Sequence, residues 1–76
     1  MDEATIKEYL IKHDQEFSKL AEAHRSFERQ LRELHEKPDF NDQDQFQEVV
    51  LKKKKLAIKD QMQMIISRYH TEHSLQ

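Results

Sequence analysis

The histidines are the residues of this chain best suited to hold a metal ion, and there are five of them. His70 and His73 are three residues apart, so both imidazoles would lie on one side of a helix. A zinc site needs three or four converging ligands, and the other histidines fall at separate levels of a different predicted helix. Those are His13, His24 and His35. We therefore predict no metal site and no bound cofactor.

Catalysis has little support in the residue types that are present. The chain contains no cysteine and no glycine, which excludes a thiolate nucleophile and a glycine-rich phosphate loop. Its carboxylates are numerous, but they fall on the solvated faces of predicted helices, where no water-excluding cleft surrounds them. We therefore interpret the protein as non-enzymatic.

Lys52–Lys55 is a run of four lysines that could contact the phosphates of a nucleic acid. Successive helical residues are rotated by about 100°, so the four ammonium groups would point to all sides and form no single basic stripe. Ion pairing with an acid of the first helix, such as Glu28, is the simpler interpretation. An accessory protein that binds nucleic acid through Lys52–Lys55, Lys59 and Arg68 is the alternative function.

The composition is that of exposed helices rather than of a thick globule. Of the 76 residues, 37% are charged and 36% hydrophobic, and the chain contains one proline, Pro38. Without glycine, a fold with many turns or strands is disfavoured. The net charge of -2 gives no general attraction to nucleic acid or anionic lipid. No apolar run approaches the length of about 20 residues that spans a bilayer, so we predict no membrane partner.

A first helix is predicted over residues 5–36. Thr5 and Glu8 have the spacing of a capping box at its start, and Pro38 ends it because a proline disfavours helical geometry in the residue before it. Between them, a seam of apolar and semi-apolar residues recurs at steps of four and three, the coiled-coil period. The seam consists of Ile6, Leu10, His13, Phe17, Leu20, His24, Phe27, Leu31 and Leu34. The two histidines of the seam could be partly buried rings that pack and form hydrogen bonds. Alternatively, they could fix the alignment of the two helices or respond to pH, because imidazole titrates in the physiological range.

A second helix is predicted over residues 43–70, after a turn at 37–42 and before a frayed tail at 71–76. Asn41 or Asp42 would cap it. Because the turn is short, the two helices should lie side by side and antiparallel. The predicted fold is thus one all-α domain over the whole chain, an antiparallel two-helix hairpin with a coiled-coil-like seam.

The apolar stripe of the second helix should face the seam of the first. The stripe consists of Leu51, Ile58, Met62, Ile65 and Tyr69. The pairs expected at matching levels include Leu31 with Leu51, Phe17 with Ile65, and His13 with Tyr69. Phe40 could fold back toward the first turn of the second helix as a hydrophobic staple, or Phe46 could fill the same space.

Apolar residues also lie on the opposite side of the second helix, where a lone hairpin cannot cover them. This second face consists of Val49, Val50, Lys53, Leu56, Ala57, Asp60 and Met64. Pairing with its own copy across a two-fold axis would cover it, and Lys53 of one chain could then meet Asp60 of the other. We therefore predict a homo-oligomeric interaction or scaffold module, first of all a dimer, whose other protein partner and biological task the sequence does not specify.

Two stretches of the chain resemble the YdcH-like family of small bacterial proteins. Residues 51–62, LKKKKLAIKDQM, are similar to the family signature, and His24 followed by Phe27 and Glu28 is similar to its pattern in the first helix. The likeness spans about residues 17–66 and departs at Phe27, where leucine is usual, and at Gln61, where many relatives have an acid. The resemblance implies an antiparallel helical hairpin in the bacterial cytoplasm, and it implies no particular activity.

Adding zinc should leave the melting temperature unchanged apart from weak, nonspecific effects, because the histidines are not expected to converge on one point. Thermal unfolding followed by circular dichroism, with stoichiometric zinc and again after a chelator, measures this. A stabilisation of several degrees that the chelator reverses would instead assign His70 and His73 to a metal site.

Overall fold

Three α-helices make up the computed structural model, which describes residues 2–74. They are α1 (Glu3–His13), α2 (Gln15–His35) and α3 (Asp42–Ser74). These residues contain no strand, so the all-α fold class is confirmed, but the helices number three where two are predicted. None of the described helices combines the length and the apolar content needed to cross a membrane.

The first predicted helix is interrupted at Asp14, whose backbone is extended, with φ -120° and ψ 109°. The Asp14 N–H donates to the Leu10 carbonyl at 2.8 Å and so completes α1. Its carboxylate accepts a hydrogen bond from the Phe17 N–H at 2.9 Å, which caps α2. One residue therefore ends one helix and begins the next, and the prediction of an unbroken helix over 5–36 is wrong.

The start of α1 is capped by Asp2, one turn earlier than predicted. The Asp2 carboxylate accepts from the Thr5 N–H at 2.8 Å, and this hydrogen bond to the ionised form lowers the pKa of Asp2. The predicted capping box of Thr5 and Glu8 is therefore wrong, because Thr5 already lies inside the first turn of the helix.

The main core lies where α1 packs against the other two helices. Ile6 and Leu10 of α1 form one buried cluster with Phe17 of α2 and with Ile65 and Ile66 of α3. Phe17 is 0% exposed and Ile6 is 1% exposed. The docking of α1 explains the burial of Ile66, which lies beside the stripe that the two-helix prediction buries.

α1 turns back over α2 instead of extending beyond it. The Tyr9 and Tyr69 ring centroids are 5.3 Å apart, and Glu3 lines a cavity of about 190 Å³ together with His24 from the middle of α2. His13 lies against Tyr9, with ring centroids 4.4 Å apart. Tyr9 therefore contacts the Tyr69 ring, at the level of α3 where the two-helix prediction places His13.

α2 and α3 pack in opposite directions along a molecule that is 55 Å long. Near the turn, Leu31 and Leu34 form a second buried cluster with Leu51. At the far end, Phe17 shares a cluster with Ile65. Leu31 therefore packs with Leu51, and Phe17 with Ile65, as the sequence predicts.

α3 begins at Asp42 and is longer than the predicted helix over 43–70. The Asn41 side-chain carbonyl accepts from the Asp44 N–H at 2.9 Å, and the Asn41 N–H donates to the Asp44 carboxylate at 3.2 Å. This reciprocal pair is the arrangement of a capping box. The helix continues to Ser74, four residues beyond the predicted end at 70, while residues 75 and 76 of the predicted frayed tail lie outside the described part.

Charged side chains join the end of α2 and the turn to the start of α3. Lys37 Nζ donates to the Asp44 carboxylate at 2.9 Å, and His35 hydrogen-bonds Glu48. The Lys37 ammonium, helped by the Asn41 N–H, holds the pKa of Asp44 below its ordinary value although the side chain is buried. The contact with His35 likewise lowers the pKa of Glu48. These pairs fix where α3 starts relative to α2.

Ile65→Ala should lower the free energy of unfolding by about 2–4 kcal/mol, because it opens a cavity in the cluster around Phe17. Lys53→Ala removes an exposed side chain from the same helix and should change that free energy by no more than about 0.5 kcal/mol. Urea unfolding followed by circular dichroism compares the two variants with the wild type. Equal losses would mean that the buried side of α3 is assigned wrongly.

Asp44→Asn should make the protein less sensitive to acid. Because the folded-state pKa of Asp44 is lowered, its ionised form stabilises the fold at neutral pH, and this contribution is lost as pH falls through that pKa. From about pH 5 to pH 2 the free energy of unfolding of the wild type should therefore drop further than that of Asp44→Asn. Lys37→Gln, which removes the main cause of the shift, should reduce the drop as well. Identical pH profiles for the wild type and both variants would contradict this account.

Candidate interaction surface

The second face of α3 is uncovered in the part of the chain that the structure describes. Its larger apolar side chains, Val49, Leu56 and Met64, are 47%, 59% and 72% exposed. Its remaining members are Lys53, Ala57 and Asp60, which are exposed, and Val50, which is half-buried. The structure thus brings the predicted residues together on one helix, with no neighbouring helix over them.

Helix geometry explains why these residues stay outside the core. Leu51 and Leu56 are five residues apart, which places them about 140° apart around the helix axis. Leu51 is 5% exposed because it packs on Leu31 and Leu34, whereas Leu56 is 59% exposed. A single pairing with α2 can bury one side of α3, and it leaves the other side in water.

Phe46 is a further member of this surface, and it is absent from the predicted set. It is 71% exposed and lies three residues before Val49, so the steps from Phe46 through Val49, Lys53, Leu56 and Asp60 are three, four, three and four. That heptad spacing is the signal that could have identified it. The sequence instead suggests that Phe40 or Phe46 packs on the first turn of α3, and the 71% exposure of Phe46 argues against that packing for Phe46.

Lys53 and Asp60 lie in the middle of the second face, two helical turns apart. Within the described residues, neither forms an ion pair with another side chain of its own chain. A lysine and an aspartate separated by seven residues are about 10 Å apart along the axis. They are too far apart to pair with each other, and both charges are available to a partner.

An open groove of about 770 Å³ adjoins the second face toward the end of α3. Asp60 and Met64 of the face line it, together with Ile65, Arg68 and the side chain of Glu16 from α2. The groove extends the apolar surface around Met64 and places charges of both signs at its edge. Such a surface suits a helix with apolar residues and a few matching charges.

The lysine run is divided between ion pairs and solvent. Lys55 Nζ lies 3.9 Å from a carboxylate oxygen of Glu28, which confirms the predicted pairing between the two helices. Lys52 Nζ lies 3.9 Å from Glu48. Lys53 and Lys54 are exposed. The four ammonium groups therefore point in different directions, and the structure forms no continuous basic stripe from them.

The histidines have separate neighbours and do not converge. His24 is half-buried and its ring nitrogen is 3.4 Å from Glu28, while His73 stacks on Tyr69 with ring centroids 3.9 Å apart. Among the described residues, no group of three or more histidine, aspartate or glutamate side chains is arranged to hold a metal ion. His70 lines a separate cavity with Ile6 and other residues.

Comparison with known proteins identifies a family but no individual relative. The family model described as "Protein of unknown function (DUF465)" matches residues 17–66, the same span as the YdcH-like resemblance, which is thereby confirmed. No curated protein and no solved structure matches the chain. The matched residues include all of the second face and exclude α1.

Proposed function

We propose that this chain, which belongs to the family described as "Protein of unknown function (DUF465)", is a non-enzymatic interaction or scaffold module that self-associates through the second face of α3. The observation that carries the proposal is the exposure of Phe46, Val49, Leu56 and Met64 along one side of a helix whose other side is core. Burial of apolar surface is the main driving force of protein association.

The size of the core supports the same proposal. The buried apolar residues other than Ala21 form two separate clusters, one around Phe17 and one around Leu31. The chain has no cysteine for a disulfide, and small domains that lack such staples are commonly stabilised by oligomerisation. Covering the second face would add buried apolar surface along the middle of α3, between the two clusters.

One antiparallel register suits both the charges and the apolar residues of the second face. If Lys53 meets Asp60 of a second copy across a two-fold axis, Val49 meets Met64 and Leu56 meets Ala57, because the members of each pair are equally far from the middle of segment 53–60. The two charge pairs flank an apolar centre. A parallel arrangement would place Lys53 beside Lys53, and like charges in contact oppose association.

The framework of the proposed module is the α2–α3 pair, taken as an antiparallel hairpin with a coiled-coil-like seam. The seam orients the second face outward, and α1 stays at the far end. The YdcH-like resemblance implies a cytoplasmic protein, and we propose that location here. Binding of nucleic acid by the lysine run has less support, because Lys52 and Lys55 are paired with glutamates.

Sedimentation at several concentrations tests the proposal, on the wild type and on Leu56→Glu. The wild type should reach the mass of a dimer by high micromolar concentration, and Leu56→Glu should sediment as a single chain, because a charge replaces the central apolar contact. Gln15→Glu adds the same charge at an exposed residue of α2 and should behave as the wild type. A wild type that stays monomeric and cooperatively folded refutes self-association. Association that weakens steeply with salt and requires added nucleic acid would favour the alternative function.

Engineered cysteines test the antiparallel register, and the absence of native cysteine keeps the result simple. A copy carrying Val49→Cys should form disulfides with a copy carrying Met64→Cys faster than with another Val49→Cys copy. Preferential pairing of Val49→Cys with itself would contradict the register while leaving self-association in place.

A further inference from the structure

We infer that α1 is an exchangeable arm: when Asp14 becomes helical, α1 docks on α2 and α3 of a second copy of this chain in place of its own. The docking site is the surface of Phe17, Ile65 and Ile66 that α1 covers in this structure. It is separate from the second face of α3, so arm exchange and the proposed function can be tested independently.

The sequence through the bend is compatible with an unbroken helix. The seam from Ile6 through Leu10 and His13 to Phe17 keeps its steps of four, three and four across Asp14, and neither glycine nor proline occurs there. A pattern of this kind favours continuous helix. The bent conformation and a straight one are therefore both consistent with the residues of this segment.

The bend is confined to the backbone of one residue, Asp14. His13 and Gln15 on either side of Asp14 are helical, and the Asp14 carbonyl accepts from the Ser18 N–H at 2.9 Å as it would within a helix. The interaction specific to the bend is the hydrogen bond from the Phe17 N–H to the Asp14 carboxylate. Straightening replaces that bond with a helical one, so the conversion needs little local rearrangement.

A straight arm requires another copy to bury its apolar side. Joined through Asp14, α1 and α2 would span residues 3–35, as many as the 33 residues of α3. Ile6 and Leu10 would then lie beside the last turns of α3, where the sequence after Ile66 is mostly polar. In the bent form these two residues are 1% and 3% exposed. The vacated site of a second copy offers the same contacts, and reciprocal exchange closes a dimer.

Two substitutions should shift the equilibrium between the bent and the exchanged form in opposite directions. Both are made in the Leu56→Glu background so that the second face does not contribute to association. Asp14→Ala removes the cap of α2 and raises helix propensity at the bend, so it should favour exchange. Gln15→Pro places proline at the first position of α2, where it is tolerated, and holds Asp14 in extended geometry, so it should block exchange. Asp14→Asn keeps a capping side chain and is the matched control.

Exchange is detected by mass and by cross-linking between copies. A copy with Tyr9→Cys is mixed with a copy with Tyr69→Cys, at positions whose rings face each other within one chain, and a short bifunctional maleimide is added. Asp14→Ala should sediment with the mass of two chains and link the two copies. Gln15→Pro and Asp14→Asn should sediment as single chains, and Gln15→Pro should give no link between copies.

A folded Asp14→Ala protein that stays a single chain overturns the inference, and so does equal cross-linking in Gln15→Pro. If Asp14→Ala fails to fold, the Leu56→Glu parent decides the question. At high micromolar concentration the parent should slowly link Tyr9→Cys copies to Tyr69→Cys copies, and Gln15→Pro should abolish this. No link in the parent after prolonged incubation refutes exchange.

Discussion

The packing of Phe17 holds the three helices together. Its side chain is 0% exposed because Ile6 and Leu10 cover it from α1 and Ile65 and Ile66 cover it from α3. Its backbone N–H is bound by the Asp14 carboxylate, so the residue that anchors the core also fixes the start of α2. The bend, the docking of α1 and the burial of Ile65 and Ile66 all depend on this one cluster.

α3 has a different environment on each side, and this follows from having more apolar residues than one neighbour can cover. Every seventh residue from Leu51 returns to the side that faces α2, and Ile58 and Ile65 occupy it. Leu56 and Met64 lie on the other side, where the described residues provide no cover. The same helix therefore supplies a core to its own chain and an apolar surface to a partner.

Several charged residues form ion pairs that join neighbouring elements. Lys37 and Asp44 close the turn, and Glu28 joins Lys55 at 3.9 Å midway along the α2–α3 contact. The partly exposed Glu28–Lys55 pair contributes little to stability on its own, but together with the buried Asp44 carboxylate it favours one alignment of α3 against α2. Among the described residues Lys53 and Lys54 form no ion pair, whereas the lysines at 52 and 55 do.

Much of the architecture follows from local chemistry that the sequence displays directly. The absence of glycine, the stop at Pro38 and the short connection to Asn41 determine an all-helical chain whose last two helices run antiparallel, and the period of three and four identifies most of the buried residues. The exposed positions of the second face follow from the same period. Phe46 belongs to that spacing too, and its 71% exposure agrees with a place on the same face.

The tertiary structure alone decided the bend at Asp14. The apolar period is the same in a straight and in a bent helix, because it specifies which side of each helix is apolar and not which surface covers that side. Turning back lets Ile6 and Leu10 reach Ile66, which lies 60 and 56 residues further along the sequence, so the contact is visible only in the folded chain. Burial in that three-helix cluster, with the Asp14 cap to complete the hydrogen bonding, outweighs the local preference for continuous helix.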